Sequence, residues 1–171
     1  MAEENVPQIQ EYFLKPGYIY VPTTPARIST VLGSCVSVCL WDRDQGYGGM
    51  NHFLYPLTRD PASATARFGN VATRALIGFF LEGGSKAKHL EAQIFGGAHP
   101  SECAPEVARV SRENVDVARR VLDRNKIRIV SEDTGGSRGR KLVYNSFSNE
   151  VVIIRVEALR QGDWYPYEGG R

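Results

Sequence analysis

Apolar positions between Phe68 and Phe80 recur at intervals of three and four, taking in Phe68, Val71, Ala72, Ala75, Leu76, Phe79 and Phe80. That spacing collects them on one face of a 3.6-residue turn and predicts an amphipathic helix over residues 67–81, closed by Gly83-Gly84. A second stripe, Val115, Ala118, Val121 and Leu122, predicts a helix within about residues 111–125. Elsewhere the pattern is that of strands. The run Ile28 to Trp41, rich in β-branched and small residues and broken by Gly33, predicts two strands meeting at a sharp bend that carries Gly33-Ser34-Cys35. Further strands are expected at 18–21, 47–55, 91–95, 127–130, 141–147 and 150–156, the last two joined by a tight hairpin at Ser148-Asn149. About seven strands and two helices, with hairpins at both ends, make an α+β fold with mainly antiparallel strands.

The 171 residues, 42% of them apolar, fit one domain spanning 1–171, with a Pro-rich lead-in over 1–26 and a loosely ordered tail over 162–171. A net charge of +2 is too small to act as an electrostatic footprint for nucleic acid. No stretch approaches the roughly 20 apolar residues of a membrane span, and the acidic start MAEEN is unlike a secretory signal, so a cytoplasmic protein without membrane insertion is expected. Three cysteines, Cys35, Cys39 and Cys103, are too few and too odd in number for a disulfide framework, and reduced thiols are expected. Cys35 and Cys39 lie about 13 Å apart along a strand, beyond disulfide reach. Neither these cysteines nor His52, His89 and His99 show paired zinc-ligand spacing, and the Gly-Gly clusters at 83, 96 and 135 match no phosphate-loop spacing.

The chemistry is concentrated at the bend. Pairing Trp41 with Gly48 across a hairpin sets Cys39 opposite Met50 and Ser37 opposite His52, with Cys35 diagonal to His52 on the same face. A thiol beside an imidazole suits nucleophilic catalysis: the imidazole takes the thiol proton, and the thiolate attacks a carbonyl carbon. Backbone N–H groups around Ser34 and Cys35 are placed to stabilise the resulting oxyanion. The opposing reading of the same residues is structural, a buried thiol and a hydrogen-bonded core histidine.

The segments Leu32-Gly33-Ser34-Cys35-Val36, Gly48-Gly49-Met50-Asn51-His52-Phe53, Ile94-Phe95-Gly96-Gly97-Ala98 and Asp133-Thr134-Gly135-Gly136, followed by Gly139-Arg140, resemble in order and spacing the CheD family of bacterial chemotaxis proteins. The resemblance implies a three-layer α/β/β sandwich related to glutamine-deamidating toxins. It also implies a protein-glutamine deamidase that converts glutamines of methyl-accepting chemotaxis receptors into glutamates, with no cofactor or metal. By the same resemblance Cys35 is the nucleophile and His52 the base. The third catalytic position, usually a threonine six residues before the cysteine, falls on Ser29, with Thr30 beside it. A CheC-type phosphatase is an implied partner, and an adaptor role for the chain is the alternative to catalysis.

Overall fold

The computed structural model of the chain describes residues 8–157, so the tail expected at 162–171 lies outside the described residues. These form β1 (Gln10–Phe13), β2 (Tyr18–Tyr20), β3 (Ala26–Leu32), β4 (Val36–Asp42), β5 (Tyr47–His52), α1 (Gly69–Glu82), β6 (Leu90–Gly96), α2 (Pro105–Arg124), β7 (Arg128–Thr134), β8 (Gly139–Asn145) and β9 (Val151–Val156). The strands build two sheets, one of four in the order β1-β3-β8-β9 and one of five in the order β2-β5-β4-β6-β7. All neighbours run antiparallel except β1 with β3 and β6 with β7. No helix among the described residues is long and apolar enough to cross a membrane.

Alternation along β4 explains the layering. Val36, Val38 and Leu40 join Phe53, Leu76, Phe80, Ile94, Val117 and Leu122 in a core between the five-stranded sheet and the two helices. Cys39 points the opposite way, into a second core with Leu14, Ile28, Leu32, Met50, Phe95, Leu142 and Tyr144 between the two sheets. Because β4 is covered on both faces, it reads as a near-continuous apolar run rather than an alternating one. The order of layers is therefore helices, five-stranded sheet, four-stranded sheet. Each large side chain fully buried in these cores contributes roughly 1.5–3 kcal/mol.

Several elements differ from the sequence expectation. β1 was not anticipated: its four residues, QEYF, carry too little periodicity to be seen, and the strand exists through its parallel pairing with β3. The second helix starts at Pro105, well before residue 111; proline occupies its first turn, where no N–H is needed. The apolar stripe does not mark that turn, because its exposed face is held by Arg109 paired with Glu106 and Glu113. β7 continues to Thr134 rather than ending at 130, its later residues Ser131 to Asp133 being polar yet paired with β6.

Candidate active site

The chain crosses between the sheets three times at one end of the sandwich, through residues 14–17 from β1 to β2, 33–35 from β3 to β4, and 135–138 from β7 to β8. Cys35 sits on the second crossing, and its side chain belongs to the core between the sheets. The hairpin register follows the sequence expectation, with Trp41 opposite Gly48 and Cys39 opposite Met50. The ladder is then interrupted, the Val38 N–H donating instead to Asn51 Oδ1 at 2.8 Å. It resumes in the same register as a bridge between Val36 and Phe53. Cys35 and His52 thus stand on the diagonal across that bridge, a spacing of roughly 7–8 Å between backbones.

His52 is fully buried, and its Nδ1 lies 2.8 Å from Thr30 Oγ1. The Thr30 hydroxyl also reaches the Leu14 carbonyl at 2.8 Å. A carbonyl only accepts, so the single hydroxyl proton goes to Leu14, and Thr30 Oγ1 receives the Nδ1 proton of His52. The tautomer is thereby set, with Nε2 bare. Among the described residues Nε2 has no hydrogen-bond partner although it is buried. A buried, unpaired ring nitrogen is costly in a purely structural histidine and useful in a base.

The structure places Ser29, expected as the third catalytic residue, away from His52. Period-two alternation along β3 sends Ile28, Thr30 and Leu32 into the core, while Ser29 faces the other side, where its hydroxyl meets the Tyr12 carbonyl at 3.5 Å. The side chain that meets His52 is Thr30. The signal was present in the sequence, since Ile28 and Leu32 bracket Thr30 at even spacing.

Burial governs both titrating groups. It pushes the Cys35 thiol up to about 11, against which the residue's own N–H favours the thiolate; Cys35 is 7% exposed. It pushes His52 down to about 4, with the Leu14 carbonyl opposing. At neutral pH both groups are therefore uncharged, a thiol and a neutral imidazole.

The crossing is pinned from outside. Gly97 N–H donates to the Cys35 carbonyl at 2.8 Å, and Ala98 N–H to the Gly33 carbonyl at 2.9 Å. Gly96 has φ +110°, and a Cβ there would run into the Cys35 carbonyl oxygen, so glycine is required twice over. Asn114, on α2, donates through Nδ2 to the carbonyls of Ser34 and Leu54, each at 2.9 Å. One buried amide thus joins the residue before Cys35 to the strand extension after His52. Sequence reading missed Asn114, which interrupts no pattern and stands far from both partners in the chain. The third crossing is held by Arg140, buried, donating to Asp133 at 2.8 Å and to the Gly135 carbonyl at 2.9 Å.

Two clefts flank the site. One of about 370 Å³ is lined by Gly33, Ser34, His99, Pro100 and Val107 among others. The second, of about 620 Å³, is lined by Lys15, Gly17, Tyr18, Leu54 and Arg67 among others. Cys39 and Cys103 are free thiols, as is Cys35. Among the described residues no group of three or more His, Cys, Asp or Glu side chains is arranged to hold a metal ion.

Comparison with known proteins agrees with the motifs. The model of the CheD family, described as CheD chemotactic sensory transduction, matches residues 56–155. A protein of Trichlorobacter lovleyi named "Probable chemoreceptor glutamine deamidase CheD" is 38% identical over 161 residues, covering 94% of this chain and 100% of the relative. Proteins bearing the same name in Sulfurimonas denitrificans and, numbered CheD 1, in Anaeromyxobacter dehalogenans are 35% and 42% identical, over 88% and 79% of this chain and 97% and 78% of their own lengths. On the breadth of these matches, this chain belongs to the CheD family.

Proposed function

We propose that this protein is a chemoreceptor glutamine deamidase in which Cys35 is the nucleophile, His52 the base, and Thr30 the group that holds His52 in its working tautomer. The observation that carries the reading is the chain of contacts from the Leu14 carbonyl through Thr30 Oγ1 to His52 Nδ1, which leaves Nε2 bare on the face shared with Cys35.

His52 Nε2 takes the Cys35 proton as the sulfur attacks the carboxamide carbon of a glutamine side chain. Negative charge moves to the carboxamide oxygen, where N–H groups near Ser34 and Cys35 are the donors at hand. The imidazolium returns its proton to the amide nitrogen, which leaves as ammonia, and a thioester remains on Cys35. Nε2 next takes a proton from water, the hydroxide adds to the thioester, and the thiolate departs and is reprotonated. The balance is glutamine plus water giving glutamate plus ammonia, with no cofactor. Thr30 stabilises the transient imidazolium by keeping its Nδ1 proton engaged.

Acting in the cytoplasm as one unit over 1–171, the enzyme would add a carboxylate to a receptor helix at each site modified. A CheC-type phosphatase remains a proposed partner; among the described residues β9 is an edge strand exposing Val152 and Ile154, an apolar surface on which a protein contact can form. The test is incubation of the purified protein with a cytoplasmic chemoreceptor fragment, with peptide mass spectrometry for glutamine-to-glutamate conversion and an assay for ammonia. Conversion lost with Cys35→Ala supports the reading; conversion undiminished by that substitution defeats the Cys35 mechanism, and none with the wild-type protein defeats the deamidase itself.

A further inference from the structure

The larger cleft beside the site is lined by Arg67. Its inner wall is the strand pair that holds His52: Tyr18 is the register partner of His52, and the Gly17 N–H donates to the His52 carbonyl at 2.7 Å. Leu54, another wall residue, follows His52 by two and is tied to the Cys35 crossing by Asn114. Arg67 forms the facing wall, its carbonyl accepting from the N–H groups of Leu54 and Tyr55 at 2.9 and 3.0 Å.

The Arg67 stem runs close beside Gly17. Gly17 has φ +86°, and a Cβ at that position would stand 3.0 Å from Arg67 Cγ. The absent side chain leaves the space that the arginine stem crosses, laying it over the backbone next to His52 while the residue stays exposed to solvent. Lys15 adds a second cationic residue to the same cleft, and Tyr18, 59% exposed, adds an aromatic surface. The cleft thus sets an arginine beside the strand pair that carries His52, within reach of a segment presenting a glutamine at this end of the sandwich.

We propose that this cleft is a substrate subsite in which Arg67 reads a carboxylate close in sequence to the glutamine being deamidated, so that the enzyme selects glutamines with acidic neighbours. The inference rests on the deamidase reading and names the substrate class of that same site. The guanidinium is a planar fork suited to a carboxylate, and its charge attracts acidic segments while repelling basic ones. Arg67 makes no contact with the reacting atoms, so its effect falls on substrate capture rather than on the chemical step.

The experiment uses the full chain and synthetic glutamine peptides identical except that an Asp, Ala or Lys is stepped through the four positions on each side of the glutamine. With the wild-type protein, one or two positions should show kcat/KM about tenfold higher for Asp than for Ala, and lower still for Lys, with the gap narrowing as salt is raised. With Arg67→Glu the order should reverse at those positions, Lys becoming preferred, through KM with kcat little changed. Arg67→Ala should flatten the preference, and an unshifted thermal midpoint in either variant removes misfolding as the cause. A wild-type protein that deamidates all peptides alike, or an Arg67→Glu protein that retains the acidic preference, overturns the subsite while leaving the deamidase reading standing. Absence of deamidation in every peptide and in the receptor fragment overturns the reading beneath it.

Discussion

Cys35 and Cys39 lie in the same layer between the sheets, four residues apart, yet their surroundings differ in kind. Around Cys39 the layer is closed: the thiol is buried among Met50 and Tyr144 in regular strand, and burial holds it well above the ordinary thiol range. Around Cys35 the layer ends in loops, a bare imidazole nitrogen lies on the same face, and several carbonyls are fixed from outside by Gly97, Ala98 and Asn114. Burial raises both thiols, so burial does not separate them. What separates them is a partner that can take the proton and an end of the sandwich at which a substrate can arrive.

The sharpest way to break that contrast is to remove each sulfur. Cys35→Ala should abolish glutamine deamidation, a loss of at least about a thousandfold, whereas Cys39→Ala should keep activity within a few-fold and cost about 1 kcal/mol of stability in urea unfolding. Equal losses of activity would erase the distinction.

The next effect concerns the imidazole. Thr30→Val keeps the shape of the side chain and removes the acceptor for Nδ1; kcat should fall about a hundredfold with KM little changed, while Ser29→Ala should fall less than threefold. Steady-state kinetics of the two variants side by side decide which hydroxyl matters, and the reverse ranking would return the role to Ser29.

Asn114→Ala leaves the buried carbonyls of Ser34 and Leu54 without their donor, a cost of roughly 2–4 kcal/mol in unfolding free energy for two lost partners. Activity should drop about tenfold even at temperatures where the protein is fully folded. A variant of normal stability would mean that α2 does not hold the crossing.

Stability against pH separates the two groups without touching activity. His52 titrates from 6.5 in the unfolded chain to about 4 when folded, so the unfolded state binds the extra proton between those values. Stability is therefore complete above about pH 6.5 and declines by up to about 3 kcal/mol as pH falls to 4. His52→Gln should lack that part of the acid loss. Cys35 works at the opposite limb: its thiol titrates at about 11 folded against 9.0 unfolded, so stability falls as pH rises from 9 to 11, and Cys35→Ala should remove that decline. Chemical denaturation at stepped pH measures both.

Much of this was legible in the chain. The bend at Gly33-Ser34-Cys35, the hairpin register through Trp41 and Gly48, and the helix ending near Glu82 all follow from local pattern and match what is observed. Local pattern does not say to which sheet a strand belongs, and so did not reveal that β3 and β4 belong to different sheets, which is what puts Cys35 on a crossing. That Thr30 rather than Ser29 faces His52 was readable from alternation along β3, whereas counting back from the cysteine pointed to Ser29. Asn114 and the Leu14 carbonyl were beyond reach because their roles arise only when α2 and β1 pack against the crossing, contacts with no trace in sequence spacing.

The most direct measurement is acid-quenched mass spectrometry of the protein reacting with a chemoreceptor fragment, read on the peptide that carries Cys35, with Cys35→Ala followed in parallel. The account predicts an acyl adduct on Cys35 that forms and decays as glutamate accumulates, and no glutamate from the variant. Glutamate produced by Cys35→Ala at the wild-type rate would contradict it.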